Sequence, residues 1–349
     1  MNSERQSIMD SFERPVEAWA PGSDEHASFV ALPRLAESAI DENDKNANPV
    51  EFIFGAQQES QSTGNVIPIW LDAVEPDSYS EFWQMPGNVD CGRDGDIKYV
   101  ASDNYLLANL NVALPDYDQI ENIVESAYML LLDFGQTRGF AHLARIWNYM
   151  PDINKGDGDD EFYRRFIVGR AHAFDIVGYS DSQLPAATAI GSAVGTPLSI
   201  TILSASTAVP MIGNSRQVDP FLYPSEHGSR SPSFSRAAIV TGKDANCLLV
   251  SGTASVVGHE SRHQDDAAEQ AQETCENILQ IVRDAKKNSC RIGDGQLSAN
   301  FRVYLRRAED LATVQEIHRR YFGAAPTVFL LGNICRRELL LESEAVFCF

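Results

Sequence analysis

Cys335 and Glu342 stand seven residues apart near the C-terminus and combine a thiol with a carboxyl, a pair suited to proton transfer. They lie in a stretch, residues 325–343 (APTVFLLGNICRRELLLES), that repeats residues 184–202 (LPAATAIGSAVGTPLSITI) at an offset of 141. Pro185 matches Pro326 and Gly191 matches Gly332, whereas Cys335 falls opposite Val194 and Glu342 opposite Thr201. An acid and a thiol in only one copy predict one working site and one structural copy. A second chemical pattern, His259 to His263 (HESRH), has the spacing of a zinc-peptidase helix. Here it falls between a predicted strand at 247–257 and a helix capped near Asp266, and no third ligand follows at a useful spacing. It is therefore read as a polar loop, and no metal is assigned. Eight arginines, Arg164, Arg165, Arg170, Arg216, Arg230, Arg236, Arg336 and Arg337, concentrate around these segments. Because guanidinium groups grip carboxylates in a bidentate fashion, the cluster points to a small acid with more than one carboxylate.

The elements that must position these groups also come twice. Each copy has an amphipathic helix opened by a glutamine (Gln119, Gln270) and a strand ending in a polar loop (144–154, 299–310). A basic-aromatic helical segment (163–166, 318–322) and the strand-like tail follow. In the first copy, strands are predicted at 50–54, 66–71 and 144–150. A helix is predicted at 118–134, with Ile120, Ile123, Val124, Ala127 and Leu131 on one face and Gly135 as its stop. In the second, strands at 236–240 and 247–257 flank a turn at 242–246. A helix capped by Asp265 or Asp266 runs to about residue 285, with Ala271, Cys275, Ile278 and Val282 spaced for burial. A strand at 300–305 and a helix at 311–321 complete the copy. Residues 214–237 are rich in Arg, Ser and Pro and read as a functional loop. The division that follows is an acidic lead-in at 1–48, a structural first half at 49–205, and a second half at 206–349 that holds the site and includes the connection 206–237.

With 349 residues and 44% apolar content the chain can form ordinary globular cores. Its net charge of −21 disfavours nucleic acid and anionic membrane as partners. No secretory apolar region or membrane-length apolar run is found, so a cytoplasmic location is expected. The six cysteines, Cys91, Cys247, Cys275, Cys290, Cys335 and Cys348, form no CxxC pair and are expected to be reduced thiols.

Seven stretches carry a family resemblance: ARIWNYMPDIN (144–154), FYRRFIVGRAHAF (162–174), LPAATAIG (184–191), NSRQVDPFLYP (214–224), RSPSFSRA (230–237), SGTASVVGHES (251–261) and CRRELLLESEA (335–345). Together they make the chain resemble the chorismatases, relatives of the RidA/YjgF proteins, from about residue 144 to the C-terminus. The resemblance implies an α+β fold of two tandem RidA/YjgF-like (chorismate mutase-like) halves, mixed sheets with helices packed on one face. It also implies cleavage of chorismate to pyruvate and 3-hydroxybenzoate, with Glu342 as the acid that protonates the enol ether. Cys335 matches the cysteine of the hydroxybenzoate-forming subtype, and Tyr149, Arg164, Arg170, Arg216 and Tyr223 match positions that hold the substrate. No metal or organic cofactor is implied, and the expected assembly is a monomer or small homo-oligomer. The alternatives are a diol-forming chorismate hydrolase and a RidA-like imine deaminase or binding protein. The ending SEAVFCF is more apolar than is usual in the family and leaves the pairing of the last strand open.

Overall fold

The computed structural model describes residues 30–34, 50–55, 66–75, 80–85, 87–114, 117–242, 246–289, 292 and 298–349. Five strands come first: β1 (Val30–Arg34), β2 (Val50–Phe54), β3 (Val66–Ile69), β4 (Ala73–Glu75) and β5 (Ser80–Gln84). The first repeat unit then runs β6 (Asp90–Asp94), β7 (Ile97–Ala101), β8 (Tyr105–Val112), α1 (Ile120–Thr137), β9 (His142–Pro151), α2 (Phe162–Val177), β10 (Ala186–Ser192) and β11 (Leu198–Ala205). The second runs β12 (Met211–Ile212), β13 (Ala237–Thr241), β14 (Asn246–Thr253), β15 (Val256–Val257), β16 (Glu260–Ser261), α3 (Ala267–Asn288) and β17 (Ser298–Leu305). It ends with α4 (Leu311–Phe322), β18 (Thr327–Leu331), β19 (Asn333–Ile334) and β20 (Leu341–Cys348).

The duplication is explicit in the sheets. One seven-stranded sheet contains the order β10-β9-β11-β8-β7 and the other the order β18-β17-β20-β14-β13, the same permutation of corresponding elements. Each includes one parallel pair, β9 with β10 and β17 with β18, joined by a helical crossover. The outer face of the first sheet packs on α1 and α2 through Ile146, Met150, Tyr128 and Phe166, and that of the second on α3 and α4 through Val303, Phe301, Ile278 and Phe322. The inner faces bury Trp147, Tyr149, Leu249 and Tyr304 in a shared core, which the four-stranded sheet β1-β5-β2-β3 joins through Phe52 and Trp83. The expected α+β class and tandem organisation are thus observed.

Local chemistry explains the boundaries. Asp266 caps α3 by accepting the Glu269 N–H at 3.0 Å, and Ala271, Cys275, Ile278 and Val282 are all buried. Gly178, at φ 83°, ends α2 in the left-handed conformation. The tails expected as single strand-like stretches each hold more than one strand: β10 and β11 in the first copy, β18, β19 and the start of β20 in the second. The strand expected at 247–257 ends as β14 at Thr253, and its register against β20 shifts between Val250 and Thr253. Val30–Arg34, within the stretch read as a lead-in, forms β1 and pairs with β5. The rest of 1–48 and most of the turn at 242–246 lie outside the described residues.

The copies are stitched together at the repeated glycines. β19, from the second unit, adds to the first sheet beside β10, pairing Ile334 with Ile190 and Asn333 with Gly191. A Cβ on Gly332 would meet Ile190 Cγ2 at 2.4 Å, and one on Gly191 would meet Ile153 Cγ2 at 2.4 Å. This crossing places Cys335 at the seam between the two sheets. β20 runs to Cys348 between β14 and β17, which settles the pairing of the terminal strand. Cys247 and Cys348 face each other across β14 and β20 with Cα atoms 4.2 Å apart and are joined as a disulfide. This corrects the expectation of reduced thiols throughout: a separation of 101 residues carries no sequence signal, and strand pairing alone brings the sulfurs together. Among the described residues no helix is long and apolar enough to cross a membrane.

Candidate active site

A cavity of about 350 Å3 opens where β10, β14 and β20 meet beneath α2. That volume suits a small organic ligand. Tyr163, Arg164 and Arg170 of α2 and Thr188 of β10 line it from the first half, while Gly252 of β14, Cys335 and Glu342 line it from the second. The connecting segment adds Tyr223, His227 and Arg236. The cavity therefore draws its walls from both halves.

Alternation along β20 puts Glu342 and Glu344 on one face, and their surroundings differ sharply. Glu344 is held by ionic and hydrogen-bond partners: Arg145 Nη2 at 2.7 Å, Arg302 Nη1 at 3.2 Å, Trp147 Nε1 at 2.9 Å and the Thr188 hydroxyl. Glu342, buried at 6% exposure, receives no hydrogen bond from the described residues. Burial raises its pKa from 4.5 to about 8, and the neighbouring Glu344 adds to the rise while Arg145 and Arg236 oppose it. The result is a carboxylic acid that keeps its proton at neutral pH and faces a ligand-sized space. Two carboxyls with divergent environments are a common arrangement for dividing acid and electrostatic roles.

Gly252 makes room for this acid. A Cβ there would lie 1.9 Å from Glu342 Oε1, and the Gly252 N–H donates to Thr188 Oγ1 at 3.0 Å. Burial pushes the Cys335 thiol up to about 12, with the Glu342 carboxyl contributing, so the sulfur remains a neutral thiol. Tyr163, adjacent to it, is also held in its neutral form by burial. In the first copy the corresponding residues are placed differently. Thr201 is buried and accepts a hydrogen bond from Asn109 Nδ2 at 2.9 Å, and Val194 is 78% exposed on a turn.

Of the residues expected at the site, Glu342, Cys335, Arg164, Arg170 and Tyr223 share this cavity. Arg170 is buried with Nε and Nη2 lacking hydrogen-bond partners among the described residues, a costly state that an entering carboxylate would relieve. Arg164 is tied to Asp159 and Glu161 at 3.4 and 3.6 Å and donates to the Glu226 carbonyl oxygen. Tyr223 is fixed by Arg236 Nη2, which donates to its hydroxyl at 2.8 Å. Two expected residues do not line the cavity. Tyr149 points into the central core, where its hydroxyl meets Tyr304 at 3.0 Å and Arg302 at 3.1 Å. Arg216 is paired with Glu273 of α3, on the far side of the connecting segment.

Sequence reasoning passed over Glu344, Arg145, Thr188 and Gly252 as site components. Glu344 had a signal, the period-two spacing of ESE on a terminal strand; the other three are brought in by sheet pairing alone. Arg236, counted among the clustered arginines but not assigned to the site, is buried on the wall with Nε unpartnered. The HESRH segment is a turn and short hairpin rather than a helix, as expected: His259 follows Gly258, which has φ 62°.

Residues 81–204 match the family model described as Chorismatase FkbO/Hyg5-like, N-terminal. A 3-hydroxybenzoate synthase of Streptomyces hygroscopicus is 33% identical over 289 residues, covering 80% of this chain and 84% of the relative. A chorismatase of Streptomyces rapamycinicus is 32% identical over 328 residues, covering 92% and 98%. A chorismatase crystal structure superposes with a TM-score of 0.82 at 26% identity, over 93% of this chain and 99% of that one. With a neutral glutamic acid and unpartnered guanidinium nitrogens in one cavity of a duplicated α+β scaffold, the chain belongs to the chorismatase family.

Proposed function

We propose that this protein cleaves the enolpyruvyl ether of chorismate to release pyruvate and 3-hydroxybenzoate. The observation that carries the proposal is the Glu342 carboxyl, desolvated, without a hydrogen bond from the described residues and protonated near neutral pH on the wall of the cavity. An enol ether reacts by accepting a proton at its methylene carbon, which leaves an oxocarbenium ion. A carboxylic acid that still holds its proton at neutral pH supplies that step. Arg170 and Arg236, with unpartnered nitrogens, are suited to the two carboxylates of the substrate and would fix the methylene against the acid. Internal displacement on the ring followed by aromatisation yields the hydroxybenzoate, and the two products together contain the atoms of chorismate. Neither water nor a redox partner is consumed. Cys335, as a neutral thiol, acts through its shape and weak hydrogen bonding against the ring rather than as a nucleophile.

The test is incubation of the purified protein with chorismate, coupling pyruvate to lactate dehydrogenase and resolving the aromatic products by chromatography. Pyruvate with an equal amount of 3-hydroxybenzoate is expected. Pyruvate with a dihydroxycyclohexadiene carboxylate would replace ring displacement by attack of water, and no pyruvate above the uncatalysed background would remove the chorismatase assignment.

A further inference from the structure

Two imidazole nitrogens and a carboxylate oxygen converge at the rim of the cavity. His227 Nε2 lies 3.1 Å from His259 Nδ1, and Glu226 Oε1 lies 3.5 Å from the first and 3.4 Å from the second. One proton can sit between the two imidazoles. That hydrogen bond takes up the accepting nitrogen's lone pair and leaves the Glu226 oxygen, which can only accept, beside it. A cation at the centre of the triangle would instead take one lone pair from each of the three atoms.

The triangle also has the right size. Ligand atoms about 2.1 Å from a tetrahedral zinc stand roughly 3.4 Å from one another, and the observed edges are 3.1, 3.4 and 3.5 Å. We propose that Glu226, His227 and His259 form a binding site for a single divalent transition-metal ion, of zinc-like chemistry, with the fourth position open to solvent. Two imidazoles and one carboxylate are a borderline-soft donor set, which suits zinc better than calcium or magnesium. The site is distinct from a zinc-peptidase reading of HESRH, because His263 points away toward Glu269 and Glu273. A bound ion would tie the connecting segment at 225–227 to the turn after β15. It would also brace Tyr223, whose ring centroid is 5.3 Å from that of His227 and 6.5 Å from that of His259.

The site does not depend on chorismate turnover, and the test is spectroscopic. Untagged full-length protein is titrated with cobalt(II) and followed by its visible d–d bands, with zinc content measured after dialysis. One equivalent with the intense bands of a four-coordinate N/O site is expected. His259→Ala and Glu226→Gln should weaken binding roughly a hundredfold, while His263→Ala should leave it unchanged. The proposal is overturned by an absence of cobalt bands in the wild-type chain, by thiolate charge-transfer bands that place the metal on a cysteine, or by loss of binding in His263→Ala but not in His259→Ala.

Discussion

Replacing Glu342 by glutamine should destroy activity and stabilise the fold, with the second effect growing as pH rises. The pKa of the carboxyl is 4.5 in an unperturbed setting and about 8 in the folded chain. Between those values the folded protein retains a proton that the unfolded chain has released, so wild-type stability falls as pH rises through this window. At about 1.36 kcal/mol per unit, the loss between pH 5 and pH 8 is on the order of 3 kcal/mol, a large fraction of the stability of an ordinary domain. Glutamine does not ionise and should escape it. Urea unfolding of both proteins near pH 5 and near pH 8 measures the gap, and pyruvate release under the same conditions measures the activity. The variant should lose at least about a hundredfold in turnover, the range of a missing general acid, while wild-type activity should decline above about pH 8 as Glu342 ionises. A stability gap that is the same at both pH values would refute the claim that the carboxyl is held protonated. Pyruvate release by the variant at a wild-type rate would refute its role as the acid.

Four further outcomes are expected. Gly252→Ala should cut activity sharply at a stability cost of about 1–3 kcal/mol, because the new methyl would overlap Glu342 Oε1; full activity by the pyruvate assay would show that the carboxyl has another resting place. Arg170→Ala should raise KM about tenfold to a hundredfold, the range set by one charge-assisted hydrogen bond, and an unchanged KM would remove Arg170 from substrate binding. Cys335 should resist alkylation by iodoacetamide near neutral pH, since its thiol is pushed up to about 12. Cys335→Ala should preserve pyruvate release while lowering the share of 3-hydroxybenzoate, and rapid labelling of Cys335 by mass spectrometry would contradict the neutral-thiol assignment.

Much of the fold was legible because local rules set it. The periodic apolar positions of α1 and α3 and the Asp266 cap depend on side chains within a few residues of one another, whereas Gly135, expected to stop α1, lies buried inside the helix, which runs on to Thr137. The repeat offset matched the prolines and glycines that frame β10 and β18, and the one-sided occurrence of Cys335 and Glu342 pointed to two residues that line the cavity. Missed features are those made by partners distant in sequence. Tyr149 and Arg216 belong to stretches that resemble the family, yet strand alternation turns one into the core and α3 captures the other. The Cys247–Cys348 disulfide and the Glu226, His227, His259 triangle likewise join segments that no spacing connects.

The sequence by itself determined the duplicated α+β plan, the family and the identity of the acid candidate, because period, capping and residue type are properties of short stretches. Only the tertiary structure decided the protonation of that acid. Glu342 and Glu344 are two residues apart and chemically identical; sheet pairing gives Arg145, Arg302, Trp147 and Thr188 to the second and leaves the first buried on the cavity wall without a hydrogen bond from the described residues. Charge stabilisation falls off within a few ångströms, so the difference between the two carboxyls depends on neighbours that the chain brings together only when it folds.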